Sequence, residues 1–295
     1  MDIQSIFLCV VNVIFTVAGT FLNLLVIVSF WRCSPSLRSK LCNFMIMVVS
    51  LCDFFVVITN YPTLILGLVW WLKKWNSLLA MELIYDHISN AFIGFSMMAL
   101  LVMSIERYLG AYYPFFHRTP LSRRKLLALL AVFSLVPIFL HLISVNDRIT
   151  SFAVVLAIFV LIVFPPFLFL NYKLFMISRK VRHDLANRRQ NTSSPEISTL
   201  HVNLRNISFC LLPVGCLAFV YITAFLYIGF YFAEKSTSEN TGMALYLTNT
   251  VANANSSLNC LIFFWKNDVL RKEGIKVVKA LKDHLSFTCY TAGLS

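Results

Sequence analysis

Charge is scarce in this chain of 295 residues. Asp, Glu, Lys and Arg make up 13% of it, about half the roughly 25% of soluble domains. Signatures of catalysis are missing too. There is no glycine-rich phosphate loop, no His-Glu-X-X-His and no nucleophile elbow, so no enzyme is expected. The sequence carries no internal repeat and no sign of a second domain. Apolar residues fill the space: 59% are hydrophobic and the mean hydropathy is +0.77. A spanning helix needs about 20 apolar residues. The apolar runs are continuous, not alternating as in the strands of a membrane barrel. The expected class is an all-α membrane protein.

The net charge of +12 raises nucleic acid as a partner, and the placement of the charge argues against it. All the Lys and Arg residues except Lys73, Lys74, Arg148 and Lys235 fall in loops and ends on one side of the expected spans. By the positive-inside rule that side is cytoplasmic, the amino terminus is outside and the carboxyl tail is inside. The basic loops then face anionic membrane lipid and a cytosolic partner.

Cysteine is absent where an extracellular disulfide would need it. Of the eight, Cys9, Cys52, Cys210, Cys216 and Cys260 fall within expected spans. Cys33 and Cys42 lie at their cytoplasmic ends, and Cys289 lies in the tail. No disulfide is expected. Asn191, Asn206 and Asn255 open Asn-X-Ser/Thr sequons, but this topology puts them in the cytoplasm or a span, so none is expected to carry glycan.

The hydropathy pattern places spans at 5–30, 42–67, 79–112, 124–144, 151–178, 207–232 and 242–265. They are helices because lipid offers the backbone no partner. Residues 5–30 read as a signal anchor, since cleavage would leave six spans and invert the charge pattern. The stretch 183–200 reads as a flexible linker, with Asn-Thr-Ser-Ser-Pro inside it. Residues 267–285 interleave apolar positions with Lys and Arg, as an amphipathic helix on the inner leaflet does.

Polar residues inside these runs are the functional candidates. Asp53 lies mid-span, and an intramembrane carboxylate is costly unless it is neutral and hydrogen-bonded or serves a site. Glu106, Arg107 and Tyr108 close the third run, followed by Pro114, Phe115 and Phe116 and then by His117, Arg118, Arg123, Arg124 and Lys125. Alone, Glu-Arg-Tyr could end any soluble helix. In this context it resembles the end of the third span of the rhodopsin-like (class A) G-protein-coupled receptors. Asn23-Leu24-Leu25-Val26, Asn43 with Asp53, Ser96, and Asn255-Ser256-Ser257-Leu258-Asn259 are similar to that family's first, second, third and seventh spans.

The resemblance implies a seven-transmembrane helix bundle with a short amphipathic surface helix. It also implies a plasma-membrane location and a heterotrimeric G protein as partner. Glu106 and Arg107 would pair at rest. Tyr108, Pro114 and Phe115, with the third cytoplasmic loop, would form the coupling surface. Residues matching Asp53, Ser96, Asn255, Ser256 and Asn259 enclose a sodium ion in that family, and all five bear oxygen here, as a hard cation requires. No other cofactor is implied. Asn253 stands where opsins have the retinal-bearing lysine, so no retinal is expected. Ser89 stands where aminergic receptors have an aspartate.

There are departures. The family's Asn-Pro-X-X-Tyr reads Asn259-Cys260-Leu261-Ile262-Phe263, which loses a kink-forming proline and a hydroxyl. The sixth span has no Cys-Trp-X-Pro and the fourth lacks its tryptophan. Glu82 occupies the usual place of the bridged cysteine, with Asp86 one turn on. A short second outer loop with this acidic pair is similar to the melanocortin receptors, in which the pair helps bind calcium with a peptide. Glu82, Asp86, Ser89 and Asn90 are therefore the candidate ligand or cation site; a solvated helix end is the plainer alternative for the pair. An amino terminus of about five residues suits an extracellular ligand that is a small molecule, a lipid or a short peptide. Two other readings stand beside the receptor. One is a receptor-shaped partner or decoy that couples to nothing. The other is a seven-helix transporter or channel, which would show matching inverted halves.

Overall fold

The computed structural model describes residues 3–72, 90–113, 122–144, 150–188 and 238–292. Every regular element among them is helical. The order is α1 (Ile3–Arg32), α2 (Pro35–Arg38), α3 (Leu41–Leu72), α4 (Asn90–Tyr112), α5 (Arg123–Ser144), α6 (Thr150–Arg188), α7 (Ser238–Lys266) and α8 (Asp268–Ala292). Three of these are long and apolar enough to cross a membrane, over Ile3–Arg32, Leu41–Val69 and Ala91–Tyr112. The chain thus has the makings of a membrane protein. The expected fourth, fifth and seventh runs are also helical, in α5, α6 and α7. The expected sixth run, 207–232, lies outside the described residues, as does the part of the third before Asn90.

Hydropathy located the helices and missed some of their limits. The linker expected from residue 183 is still α6 as far as Arg188. Leu185 and Ala186 are strong helix formers, and cations near a helix C-terminus offset its dipole. The first inter-span loop holds a single turn, α2, started by Pro35, whose missing N–H is no loss at a first helical position. The surface helix runs on to Ala292, past the expected residue 285.

α1 packs on α3, α7 and α8; α3 on α4 and α7; α4 on α5 and α6; α5 on α6. One apolar core joins Val26 and Phe30 of α1, Met45 and Val49 of α3, Met98 to Met103 of α4, Phe167 of α6 and Phe263 of α7. Large apolar residues on the outside of α1, such as Phe7, Ile14 and Phe21, suit a lipid environment better than water. Pro62 lies inside α3 and deprives the carbonyl of Ile58 of its helical donor. Nearby, Thr59 and Thr63 donate to the carbonyls of Phe55 and Thr59 at 2.7 and 2.8 Å.

The contacts fix the directions of the helices. Arg107 near the end of α4 meets Cys42 at the start of α3. Arg123 at the start of α5 meets the carbonyl of Arg38 in α2. Asn267, just past α7, meets Asn43 of α3. One end of the bundle therefore gathers these helix termini, with Arg38, Arg107 and Arg123 among them.

Candidate functional site

Two polar clusters sit in the apolar bundle. The first surrounds Asp53, which is fully buried. The Ser96 hydroxyl of α4 donates to its Oδ1. Asn259 of α7 donates from Nδ2 to its Oδ2 at 3.1 Å, and Ser256 lies against the same carboxylate. Three helices are thereby joined through residues far apart in sequence. A fourth joins through Asn23 of α1, whose Nδ2 donates to the carbonyls of Gly19 at 3.0 Å and Ser256 at 3.3 Å.

This cluster is rich in oxygen and poor in positive charge. Among the described residues no Lys or Arg forms an ion pair with Asp53. Ser50 Oγ, Asn23 Oδ1, Asn255 Oδ1 and Asn259 Oδ1 are buried and lack hydrogen-bond partners. A buried ionised carboxylate needs a counter-charge, and unpaired buried oxygens need a donor or a cation. A small hard cation would answer both needs; a proton on the carboxyl would remove the first. Of the five sodium candidates, the structure brings Asp53, Ser96, Ser256 and Asn259 into one cluster. Asn255, one residue from Ser256, is buried with its oxygen free.

A second amide pair lies two turns along α3 from Asp53. Asn60 Nδ2 donates to Asn253 Oδ1 of α7 at 2.9 Å. The sequence offered a signal for this contact: Asn60 follows Asp53 at a spacing that keeps both on one face of the helix.

The second cluster is at the basic end. Glu106 and Arg107 are both buried, and Arg107 Nε lies 3.3 Å from Glu106 Oε2. Arg107 Nη2 donates to Cys42 Sγ. Tyr108 is part-buried; it packs with Leu174 of α6 and stacks on Tyr112 at 5.5 Å. A step toward the centre, Asn171 Nδ2 of α6 donates to Ser104 Oγ at 3.3 Å and to the carbonyl of Phe167 at 2.8 Å. Sequence reading passed over Cys42, Asn171 and Asn267. Cys42 and Asn267 sit at helix edges and carry no local signal of a long-range contact, whereas Asn171 is a polar residue inside an apolar run, a signal that could have found it.

Several candidates are not placed. Pro114, Phe115, Glu82, Asp86 and Ser89 lie outside the described residues; Asn90 opens α4, and its side chain lies outside them too. Phe263 is fully buried in the core. Cys9, Cys33, Cys42, Cys52 and Cys260 are free thiols. The sequence matches no protein-family model and no curated protein.

Proposed function

We propose that this protein is a seven-helix receptor of the rhodopsin-like kind, passing the binding of an extracellular small molecule, lipid or short peptide to a heterotrimeric G protein. One observation carries the reading. The same helix, α4, presents Ser96 to a buried carboxylate and, about 16 Å further along at 1.5 Å per residue, ends in a buried Glu106–Arg107 pair. Such a helix can connect a polar centre inside a membrane with a charged group at its cytosolic edge. An agonist would act by binding better to the state in which Arg107 has left Glu106.

Asp53, Ser96, Asn255, Ser256 and Asn259 would hold a sodium ion, whose charge offsets that of the carboxylate. The chain's own part is to bring the Asp53 oxygens and the orphan amide oxygens of α7 together in a packed centre. The ion would favour the packing in which α3, α4 and α7 stay together.

A non-coupling partner or decoy is the second reading. It is favoured by α7, which runs from Ser238 to Lys266 without a proline and buries Phe263 where a hydroxyl would be needed. Guanine-nucleotide exchange on a panel of purified G proteins, driven by the full chain in lipid nanodiscs, separates the two. Basal exchange that falls on Arg107→Ala supports the receptor. No exchange with any member of the panel supports the decoy.

A further inference from the structure

Arg107 is tied to the start of α8 by an unbroken run of hydrogen bonds through α3. Arg107 Nη2 donates to Cys42 Sγ. The Cys42 thiol donates to Asn43 Oδ1, 3.8 Å away. Asn267 Nδ2 donates to the same oxygen at 2.9 Å. Asn43 is held in turn by its own Nδ2, which donates to the carbonyl of Leu37 at the α2 turn at 2.9 Å.

Asn267 has a second task. Its Oδ1 accepts from the backbone N–H groups of Val269 at 3.1 Å and Leu270 at 3.2 Å. That is helix N-capping, the work for which Asn and Asp are favoured. One carboxamide therefore starts α8 with its oxygen and grips α3 with its nitrogen. Asn43 and Asn267 are both buried, so a broken bond there leaves an amide without water to replace the partner.

We propose that Asn267 is a positioning residue that, through Asn43 and Cys42, helps hold Arg107 in its buried seat beside Glu106. Tilting α8, or moving the inner end of α7, pulls Asn267 from Asn43. Asn43 Oδ1, the acceptor of the Cys42 thiol, then loses the donor that fixed its direction and is held only through the Leu37 carbonyl, so the thiol and its sulfur are free to turn from Arg107. The latch stands on these contacts alone. Its consequence for signalling rests on the receptor reading.

The two tasks of Asn267 can be separated. Asn267→Asp keeps an oxygen to cap α8 and loses the N–H₂ that reaches Asn43. Asn43→Ala breaks the same tie from the other side and leaves the cap alone. The full chain in lipid nanodiscs is treated with a maleimide, and the alkylation of each cysteine is followed by mass spectrometry. Either variant is expected to speed alkylation of Cys42 by about tenfold, the equilibrium factor of one lost hydrogen bond. Cys52, further along α3, should keep its native rate, and the amides of Val269 and Leu270 should stay slow to exchange in Asn267→Asp. A native Cys42 rate in either folded variant overturns the latch. So does an equal rise at Cys52, which would mean general loosening. If one variant does not fold, the other decides.

G-protein exchange assays on the same samples keep the two ideas apart. If native protein and variants all fail to drive exchange, the receptor reading falls and the alkylation rates still judge the latch. If native protein drives exchange and Asn267→Asp leaves its basal level unchanged, the latch has no part in signalling.

Discussion

Gly19 of α1 faces Ser257 of α7 so closely that a Cβ on the glycine would lie 2.6 Å from the serine Oγ. It would also lie 3.0 Å from a methyl of Val57 on α3. Three helices meet at a point where only a hydrogen fits. Gly19→Val should destabilise the bundle by about 1–3 kcal/mol, the usual cost of overpacking. A lowered melting temperature in detergent checks it; an unchanged one means α1 docks elsewhere.

Gly274 makes the same kind of contact at the other end of α1. A Cβ there would meet the ring of Phe264 at 2.2 Å and Ser29 Oγ at 3.1 Å. Leu270, one turn before it, is fully buried. Gly274→Leu should lift α8 off the bundle. The sign would be faster proteolysis or amide exchange across Asp268–Ala292 with α1 and α3 unaffected. Protection equal to the native level would refute the docking of α8 by this face.

Asp53→Asn changes little in size and removes the one carboxyl group that the described residues of the central cluster hold. The new N–H₂ replaces one of the two oxygens, so it would face either the Ser96 hydroxyl or Asn259 Nδ2, each of which now donates to the carboxylate. A lost partner in a buried site costs about 1–3 kcal/mol. Replacing choline chloride by sodium chloride at constant ionic strength should raise the melting temperature of the native chain. It should leave that of Asp53→Asn unmoved. A native protein indifferent to sodium would sink the cation assignment.

Glu106→Gln weakens the grip on Arg107, which lies 3.3 Å from the carboxylate in a buried place. Breaking a buried ion pair by removing one partner costs about 3–5 kcal/mol. The population with Arg107 released should therefore rise by roughly tenfold or more. In G-protein exchange this reads as raised basal activity, and Arg107→Ala should abolish it. Equal basal rates in native protein and Glu106→Gln would separate the pair from signalling.

Cys33, just past the end of α1, is buried. Burial, helped by the nearby Glu273, outweighs Arg38 and Lys276 and pushes its thiol above the ordinary value. Only the thiolate attacks an alkylating reagent. Iodoacetamide should therefore react with Cys33 more slowly at pH 8 than with a free cysteine. The rate should still be climbing above the ordinary thiol pKa of about 8.5, where a free cysteine levels off. A rate that levels off at the ordinary point would show the site to be open to water.

Much of the candidate site was legible before any tertiary contact was known. Asp53 stood out because a carboxylate in an apolar run is costly and so calls for a role; Ser96, Asn255, Ser256 and Asn259 were singled out only through the resemblance to the rhodopsin-like receptors. Glu106 and Arg107 stood out because opposite charges close such a run. Neither argument could reach Cys42 or Asn267. A cysteine near a helix start and an asparagine in a basic stretch look ordinary, since their partners are far away in sequence.

The sequence alone determined the helical state and the presence of helices apolar enough to cross a membrane. Each follows from a local property: the length of an apolar run and the absence of alternation. Tertiary structure alone decided that α6 continues to Arg188 and that Asn60 meets Asn253. It also decided that Arg107 reaches α8 through Cys42, Asn43 and Asn267. The physical reason is that hydropathy is additive along a chain. A hydrogen bond between helices depends on how each is rotated and where they cross, which is set by the packing of all the others.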